Sequence, residues 1–367
     1  MLRYFTVPII IGIQKKMKIK NLVVLAFVPL IFSCKKEIKP EPTVPQFSNG
    51  IVCMNEGLFQ QNNATLCYYN LDSNKTNLNV FSTINGRGLG DTANDMIEYT
   101  YLGKPYIAIA VDVSSQIEII DGLTLKSVKQ IHIFNGSTSR EPRAVKYHNN
   151  YLYSINFDGT VTQIDLSTNT INATVICGLN PENAEIVNDK MYVVNSGGLN
   201  SPTYDKTITV IDLTTFSIVS TFDSDINCSA IVKDNQDELY LISRGNYSSI
   251  PPKLLRINTT TNTLNQSFNI NATVMTYHNN TIYYYDNSDQ GIHTFNTQSE
   301  TVNPTVLIDC SNFQNLYGIY IDKLKQLIYL VDANGYTNSS LIKCYTLNGV
   351  YKYNFTSGLN TGQLLFK

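Results

Sequence analysis

The sequence predicts an all-β chain folded as a seven-bladed β-propeller of four-stranded antiparallel blades, and three observations lead there. A short motif recurs seven times, as YYNLDS at Asn70, EIIDGLT at Asp121, TQIDLST at Asp165, TVIDLTT at Asp212, LRINTTT at Asn258, HTFNTQS at Asn296 and KCYTLNG at Thr346. Its mean spacing is about 46 residues, the length of a four-stranded repeat unit. An apolar run precedes each copy: IVCMNEG, YIAIAVD, YLYSINF, MYVVNSG, LYLISRG, IYYYDNS and IYLVDAN, again seven. Each unit also divides into four runs of Val, Ile, Tyr and Thr bounded by Asn, Asp, Gly or Ser, the composition of strands and turns. A lone four-stranded meander cannot cover both of its faces, so such units require neighbours and close into a ring.

Taken in order, the chain begins with an address. Met17 is followed by Lys18 and Lys20, an apolar run from Leu22 to Phe32, and Ser33-Cys34. This has the charged, apolar and small-residue regions of a secretory signal and is too short to span a membrane. Residues 1–33 are therefore read as a signal segment, with Met17 as the expected true start, since residues 1–16 hold only a second short apolar patch before Lys15-Lys16. Cys34 resembles the lipid-acceptor cysteine of a bacterial lipoprotein, with Phe32-Ser33 in place of the commoner small pair; an ordinary cleaved signal with Cys34 incidental is the alternative. The segment KKEIKPEPTVPQ then forms an extended tether, so that 34–47 is lipidated cysteine plus tether and 48–367 is the propeller.

Blade 4 shows the unit in full: AEIV, MYVVN, TITVID and FSIVSTF, strands A to D outward from the axis. Blade 1 lacks an A strand, because the domain opens directly on the B strand GIVCMNEG. The missing strand is found at the other end of the chain, where SGLNTGQLLF echoes the CGLNPENAEI that leads into the A strand of blade 4. Leu364 to Phe366 is thus expected to complete blade 1 and remove the open edges.

Loops sort by face. The A-to-B and C-to-D turns are short and repetitive, YHNN at Tyr147 and Tyr277 for example, and read as scaffold. The B-to-C and D-to-A connections are long, varied and rich in Gly, Asn, Arg and aromatics, so the ligand-binding face is expected there. Its candidate residues are Asn55, Glu56, Phe59, Arg87, Asp91, Asn94, Arg140, Arg143, Phe157, Asn180, Glu182, Asn195, Tyr204, Arg244, Tyr247 and Tyr336, with Asp95 close by. Arginines beside aromatics grip a polar, partly apolar ligand by planar hydrogen bonding and stacking. For a single Asn, Asp or Gly, turn chemistry alone is the competing explanation, and Arg143 alternatively pairs with an acidic neighbour between blades.

With 27 basic and 29 acidic residues, the charge balance makes no electrostatic case for nucleic acid. No HExxH, GxSxG, paired CxxC or phosphate-cradling Gly-Lys-Ser loop is present, and no catalytic residue or metal ligand is assigned. Two of the four histidines, His148 and His278, occupy equivalent scaffold turns, with His132 and His293 elsewhere. Asp223-Ser-Asp-Ile-Asn227 has the start of a calcium loop without its glycine, and a plain turn is the competing reading. Six cysteines remain beside Cys34; Cys53 and Cys67 fall on adjacent strands and could face each other, but no bridge is assigned.

These residues carry a resemblance. MYVVNSG, YLYSINFDGTVTQIDLSTNT and KTITVIDLTTFSIV resemble the YVTN-type seven-bladed propellers of the quinoprotein amine dehydrogenase-like group. NEGLFQQNNATLCYYN, NGRGLGDTANDM, EPRAV and GLNPENAEIV are similar to surface lipoproteins of Bacteroidota, among them the BtuG-type cobalamin-capturing proteins. The resemblance implies a non-enzymatic, cofactor-free lipoprotein at the outer-membrane surface, held by its lipid alone. Its loop face would capture a corrinoid or related ligand and pass it to a TonB-dependent transporter. Two alternatives stand beside it. One is a propeller binding a protein or glycan; the other is a lactonase-like hydrolase with an axial metal held by strand-end oxygens of Asn55, Asn156, Asn195, Asp286 and Asp332.

Overall fold

The computed structural model describes residues 46–367; the signal segment, Cys34 and the tether up to residue 45 lie outside the described residues. Seven four-stranded antiparallel blades form the ring, as the repeat predicts. The innermost strands of blades 2 to 7 are Ala93–Tyr101, Pro142–His148, Pro181–Val187, Cys228–Lys233, Ala272–His278 and Leu316–Asp322. In blade 1 that place is taken by the C-terminal strand Thr361–Phe366, which pairs with Gly50–Asn55. The last residue completes the seam: Lys367 donates its N–H to Gly50 O at 2.8 Å, and Gly50 returns one to Lys367 O at 3.2 Å.

The repeated residues form the scaffold turns. In the two-residue A-to-B hairpins of blades 2, 3, 4 and 6 both central residues have positive φ, at Leu102-Gly103, Asn149-Asn150, Asn188-Asp189 and Asn279-Asn280. Such turns match the twist of the strands and favour Asn and Asp. The motif residue that marks each repeat is an Asx turn. Asp212 Oδ1 accepts the N–H of Thr214 at 2.8 Å and of Thr215 at 3.1 Å. Asn70, Asp121, Asp165, Asn258 and Asn296 do the same for their own turns, and in blade 7 the hydroxyl of Thr346 accepts from Val350.

Among the described residues the apolar core is seven clusters, one between each pair of consecutive blades. Strand alternation deals the side chains to the two neighbours: in blade 4, Met191 and Val193 pack toward blade 3, Tyr192 and Val194 toward blade 5. This is why the middle strands read as unbroken apolar runs. The C-terminal Leu364 sits in the cluster between blades 7 and 1.

Four features depart from the plain repeat. A helix, Val80–Asn85, follows the three-residue outer strand of blade 1, Lys75–Asn77. A small hairpin, Phe134–Asn135 with Thr138–Ser139, interrupts the passage from blade 2 to blade 3. The outer edge of blade 6 is split between Thr301–Val302 and Ile308–Asp309. A single 3-10 turn, Asn334–Tyr336, caps blade 7. Cys53 and Cys67 do lie opposite each other in register, and the six described cysteines are free thiols.

Candidate functional site

Every blade carries the same irregularity at the start of its innermost strand. The pairing register slips by one residue, leaving Asn94, Arg143, Glu182, Thr273, Tyr317 and Gly362 as the extra residue in blades 2, 3, 4, 6, 7 and 1; in blade 5 the slip spans Ser229-Ala230. A β-bulge bends its strand and re-aims the extra side chain. Repeated around the ring, it turns seven residues toward the axis.

A second ring is hooked onto the first. In six of the seven blades the residue after the B strand donates its backbone N–H to the carbonyl two residues before the bulge: Glu56 to Asn360, Asp112 to Thr92, Phe157 to Glu141, Ser196 to Asn180, Arg244 to Asn227 and Ala333 to Asn315, all between 2.8 and 3.1 Å. Thr92, Glu141, Asn180, Asn227 and Asn360 hold positive φ to present that carbonyl. The bulge residues, with Glu56 and Arg244 of the second ring, line a well on the face of the long loops, with a volume of about 500 Å³.

Charge is unevenly spread around the well. Arg143 Nη1 lies 2.9 Å from Asp112 Oδ2 and Nη2 lies 3.2 Å from Glu182 Oε2; Arg244 Nη1 reaches Glu182 Oε1 at 3.5 Å. Asn94 Nδ2 donates to Asp112 Oδ2 at 3.0 Å, and the Arg143 guanidinium sits 4.8 Å over the ring of Phe157. Burial alone would lower the Arg143 pKa, but Glu182 and Asp112 outweigh it and hold the group above its ordinary value. Burial raises Asp112 against the pull of Arg143.

On the opposite side the bulge residues are Thr273, Tyr317 and Gly362. Tyr317 donates its hydroxyl to Glu56 Oε2 at 2.7 Å. Burial raises the Glu56 carboxyl from 4.5 to about 7, opposed by that hydrogen bond and by Arg143. Gly362 makes room for it, since a Cβ there would lie 2.4 Å from Glu56 Oε1. Ser229, also on the wall, is buried and its hydroxyl has no partner among the described residues.

Five of the expected residues, Glu56, Asn94, Arg143, Glu182 and Arg244, thus meet at the well, with Phe157 beneath Arg143. Two aromatics of the loop face are largely exposed, Phe59 at 68% and Tyr247 at 71%. Tyr204 meets Tyr247 edge-on at 6.3 Å, and Tyr336 meets Tyr317 at 5.9 Å. The remaining candidates are spent within the scaffold. Asn55 and Asn195 are fully buried in their own blades, Asn55 accepting from Ser357 and Thr361 hydroxyls and Asn195 donating to Thr207 and Thr209. Asp91 accepts the N–H groups of Gln60 and Asn62, and Asn180 holds the blade 4 insert by bonding Phe157 O and the Leu199 N–H.

Arg87 pairs with the fully buried Glu118, and Arg140 with Asp158. Asp95, although on the wall, is held by Val145 N and Gln363. The oxygens invoked for a hydrolase do not converge on the axis either. Asn156 bonds Ser154, Thr160 and Thr162; Asp286 accepts from Asn271 and Ser288; Asp332 caps Gln314, Asn315 and Asn334. In the calcium-like loop, Asp223 pairs with Lys206 and Asp225 with Lys253, an ordinary ion-paired turn.

Sequence reasoning missed Asp112, Ser229, Thr273, Tyr317 and Gly362. Aligning the repeats would have found them: the bulge residue stands two places after Asn180, Asn227, Asn271, Asn315 and Asn360, and the second ring immediately follows the apolar B run.

Comparison with known proteins assigns the chain. The family described as a domain of unknown function, DUF5074, matches residues 49–367, the entire ring. The chain belongs to the DUF5074 family. No curated protein matches it significantly. Among solved structures, this DUF5074 member is similar to a quinonprotein alcohol dehydrogenase-like protein from Bacteroides thetaiotaomicron, with TM-score 0.62 and 17% identity over 88% of this chain and 79% of the other. It is also similar to Kuenenia stuttgartiensis hydrazine synthase (TM-score 0.57, 15% identity, 70% of this chain and 85% of the other) and to a chain of a mitotic checkpoint complex (0.56, 12%, 92% and 89%). At such identities the likeness is one of fold.

Proposed function

We propose that this DUF5074 propeller is a ligand-capturing protein, and that its ligand seats in the axial well formed by the seven bulge residues. The observation that carries the reading is that ring itself: the scaffold repeats, while the seven positions aimed at the axis are all different. The well offers donors from Arg143, Arg244 and Asn94 and acceptors from Glu56 and Glu182 within one small volume. Such a mixed surface suits a ligand edged with uncharged amides, each of which both donates and accepts. A corrinoid has that periphery. It is larger than the well, so only its amide-bearing edge would enter, with Phe59, Tyr247 and Tyr336 contacting the rest at the mouth.

The signal segment and Cys34 support export and lipid anchoring at the outer membrane, where a TonB-dependent transporter would receive the ligand. Calorimetric titration of the purified protein with cyanocobalamin tests the reading. Affinity well below micromolar, weakened by Glu182→Ala, is the expected result; micromolar or weaker binding refutes it. Co-purification of a transporter without any small-molecule binding would instead favour a protein-docking role.

A further inference from the structure

Beside the axial well lies a second cavity of about 540 Å³, between blades 5 and 6, with Arg244 and Thr273 common to both. Its character is the opposite of the well's. Tyr247, Ile250, Pro251, Pro252 and Ala272 supply its apolar wall, with Ser248, Asn271 and Asn287 as its further polar lining. The loop that builds it is pinned: Asn246 donates its N–H to Ile250 O at 3.1 Å, and its Oδ1 accepts from Ser248 at 3.1 Å and Ile250 at 2.7 Å. Gly245 is required for this fold-back, since its φ is +64° and a Cβ would fall 2.0 Å from Ile250 O. Tyr247 holds a φ of +56°, a left-handed conformation that is unfavourable for a non-glycine residue. The consequence is an aromatic ring and an isoleucine held toward solvent instead of buried, a preorganised apolar surface beside a polar one.

The well has its own bias. Glu56, Asp95 and Glu182 line the well beside Arg143 and Arg244, so carboxyl groups outnumber guanidiniums there, and both guanidiniums are already paired, Arg143 with Asp112 and Glu182 and Arg244 with Glu182. Glu56 has only the Tyr317 hydroxyl on its carboxyl, and the Ser229 hydroxyl is unpaired on the wall. An anionic group entering here would meet excess negative charge, whereas a neutral or cationic one would find free acceptors.

We infer that the well and the apolar annex form one bipartite site for an amphipathic small molecule, an uncharged or cationic polar part in the well and a flat apolar ring in the annex against Tyr247 and Ile250. This rests on the axial well being a ligand site, and it adds the annex, the ring and the charge of the ligand.

Three dansyl probes sharing one ring test it: dansylcadaverine (cationic arm), dansylamide (neutral) and dansylglycine (anionic), each titrated into the purified protein by fluorescence. Saturable, blue-shifted emission is expected, with dansylcadaverine about tenfold or more tighter than dansylglycine because of the carboxylate excess. Ile250→Asp should weaken all three by about tenfold or more, since it places a charge against the ring. Glu56→Gln should narrow the gap between the cadaverine and glycine forms. Circular dichroism melting checks that Ile250→Asp is folded, and Tyr247→Ala provides a second annex variant if it is not. Absence of saturable emission, binding indifferent to both annex variants, or tighter binding of dansylglycine would overturn the inference. No corrinoid is used, so a protein that fails to bind cyanocobalamin but binds dansylcadaverine as described retains the bipartite site and loses only the corrinoid.

Discussion

Replacing Glu56 by Gln should stabilise the protein at pH 8 and leave it unchanged at pH 4. Burial raises this carboxyl from 4.5 to about 7. The sign follows from proton counting. Between those two values the folded state holds a proton that the unfolded state has released, so stability falls as pH rises through that window and stays low above it. A shift of this size corresponds to about 3 kcal/mol at 1.4 kcal/mol per unit. Gln carries no charge to desolvate, and its carbonyl can still accept the Tyr317 hydroxyl that now donates at 2.7 Å. The assay is paired denaturant unfolding of wild type and variant from pH 4 to pH 8. Because other groups titrate alike in both proteins, the difference between them isolates Glu56. It should be near zero at pH 4, grow between about pH 4.5 and 7, and level off at about 3 kcal/mol in favour of the variant. A difference that is constant with pH, or that favours wild type at pH 8, would show that Glu56 is not held in a desolvated corner and would refute the account of the well.

Further outcomes follow from the scaffold. Deleting residues 358–367 removes the inner strand of blade 1 and uncovers Gly50–Asn55, all six residues of which are buried; a loss on the order of 5 kcal/mol, most of the stability of an ordinary domain, is expected in thermal melts. Arg87→Ala leaves Glu118 fully buried with only the Ser127 hydroxyl, and should cost about 3 kcal/mol while leaving ligand titrations unchanged. Asn195→Ala should likewise destabilise, by about 1–2 kcal/mol, without altering binding, because its amide nitrogen donates to Thr207 and Thr209 inside blade 4. Burial pushes the Cys53 thiol up, so it should resist Ellman's reagent in native protein and react once guanidinium unfolds the ring.

The parts of this molecule that were legible in its sequence are those where the backbone dictates the residue. Asp165 and Asp212 recur because an Asx turn needs a short side-chain acceptor, and Asn149-Asn150 and Asn279-Asn280 recur because both positions take positive φ. Each repeat therefore announces its turns, and seven announcements fix the ring and the face on which its long loops lie. Within those loops, the same reasoning could not separate polar residues that serve turns from those that face a ligand. Asn55 and Asn195 resemble site residues in type but complete their own blades, and Arg87 serves Glu118.

A bulge imposes the converse condition. It fixes the direction of one side chain and leaves its chemistry free, so the position recurs with Asn94, Arg143, Glu182, Ser229, Thr273, Tyr317 and Gly362 and shows no motif. What does recur is the carbonyl that hooks the second ring, presented by Asn180, Asn227, Asn315 and Asn360 among others. That hook gives the well its order: the repeat sets where the seven bulge residues point and leaves their chemistry free. Exchanging bulge residues between blades, as in Glu182→Thr with Thr273→Glu, should therefore preserve folding while moving the carboxylate away from Arg143. Such a double variant that melts within a few kcal/mol of wild type yet loses its ligand would separate scaffold from site; one that binds unchanged would show that the ring of bulges is not where recognition occurs.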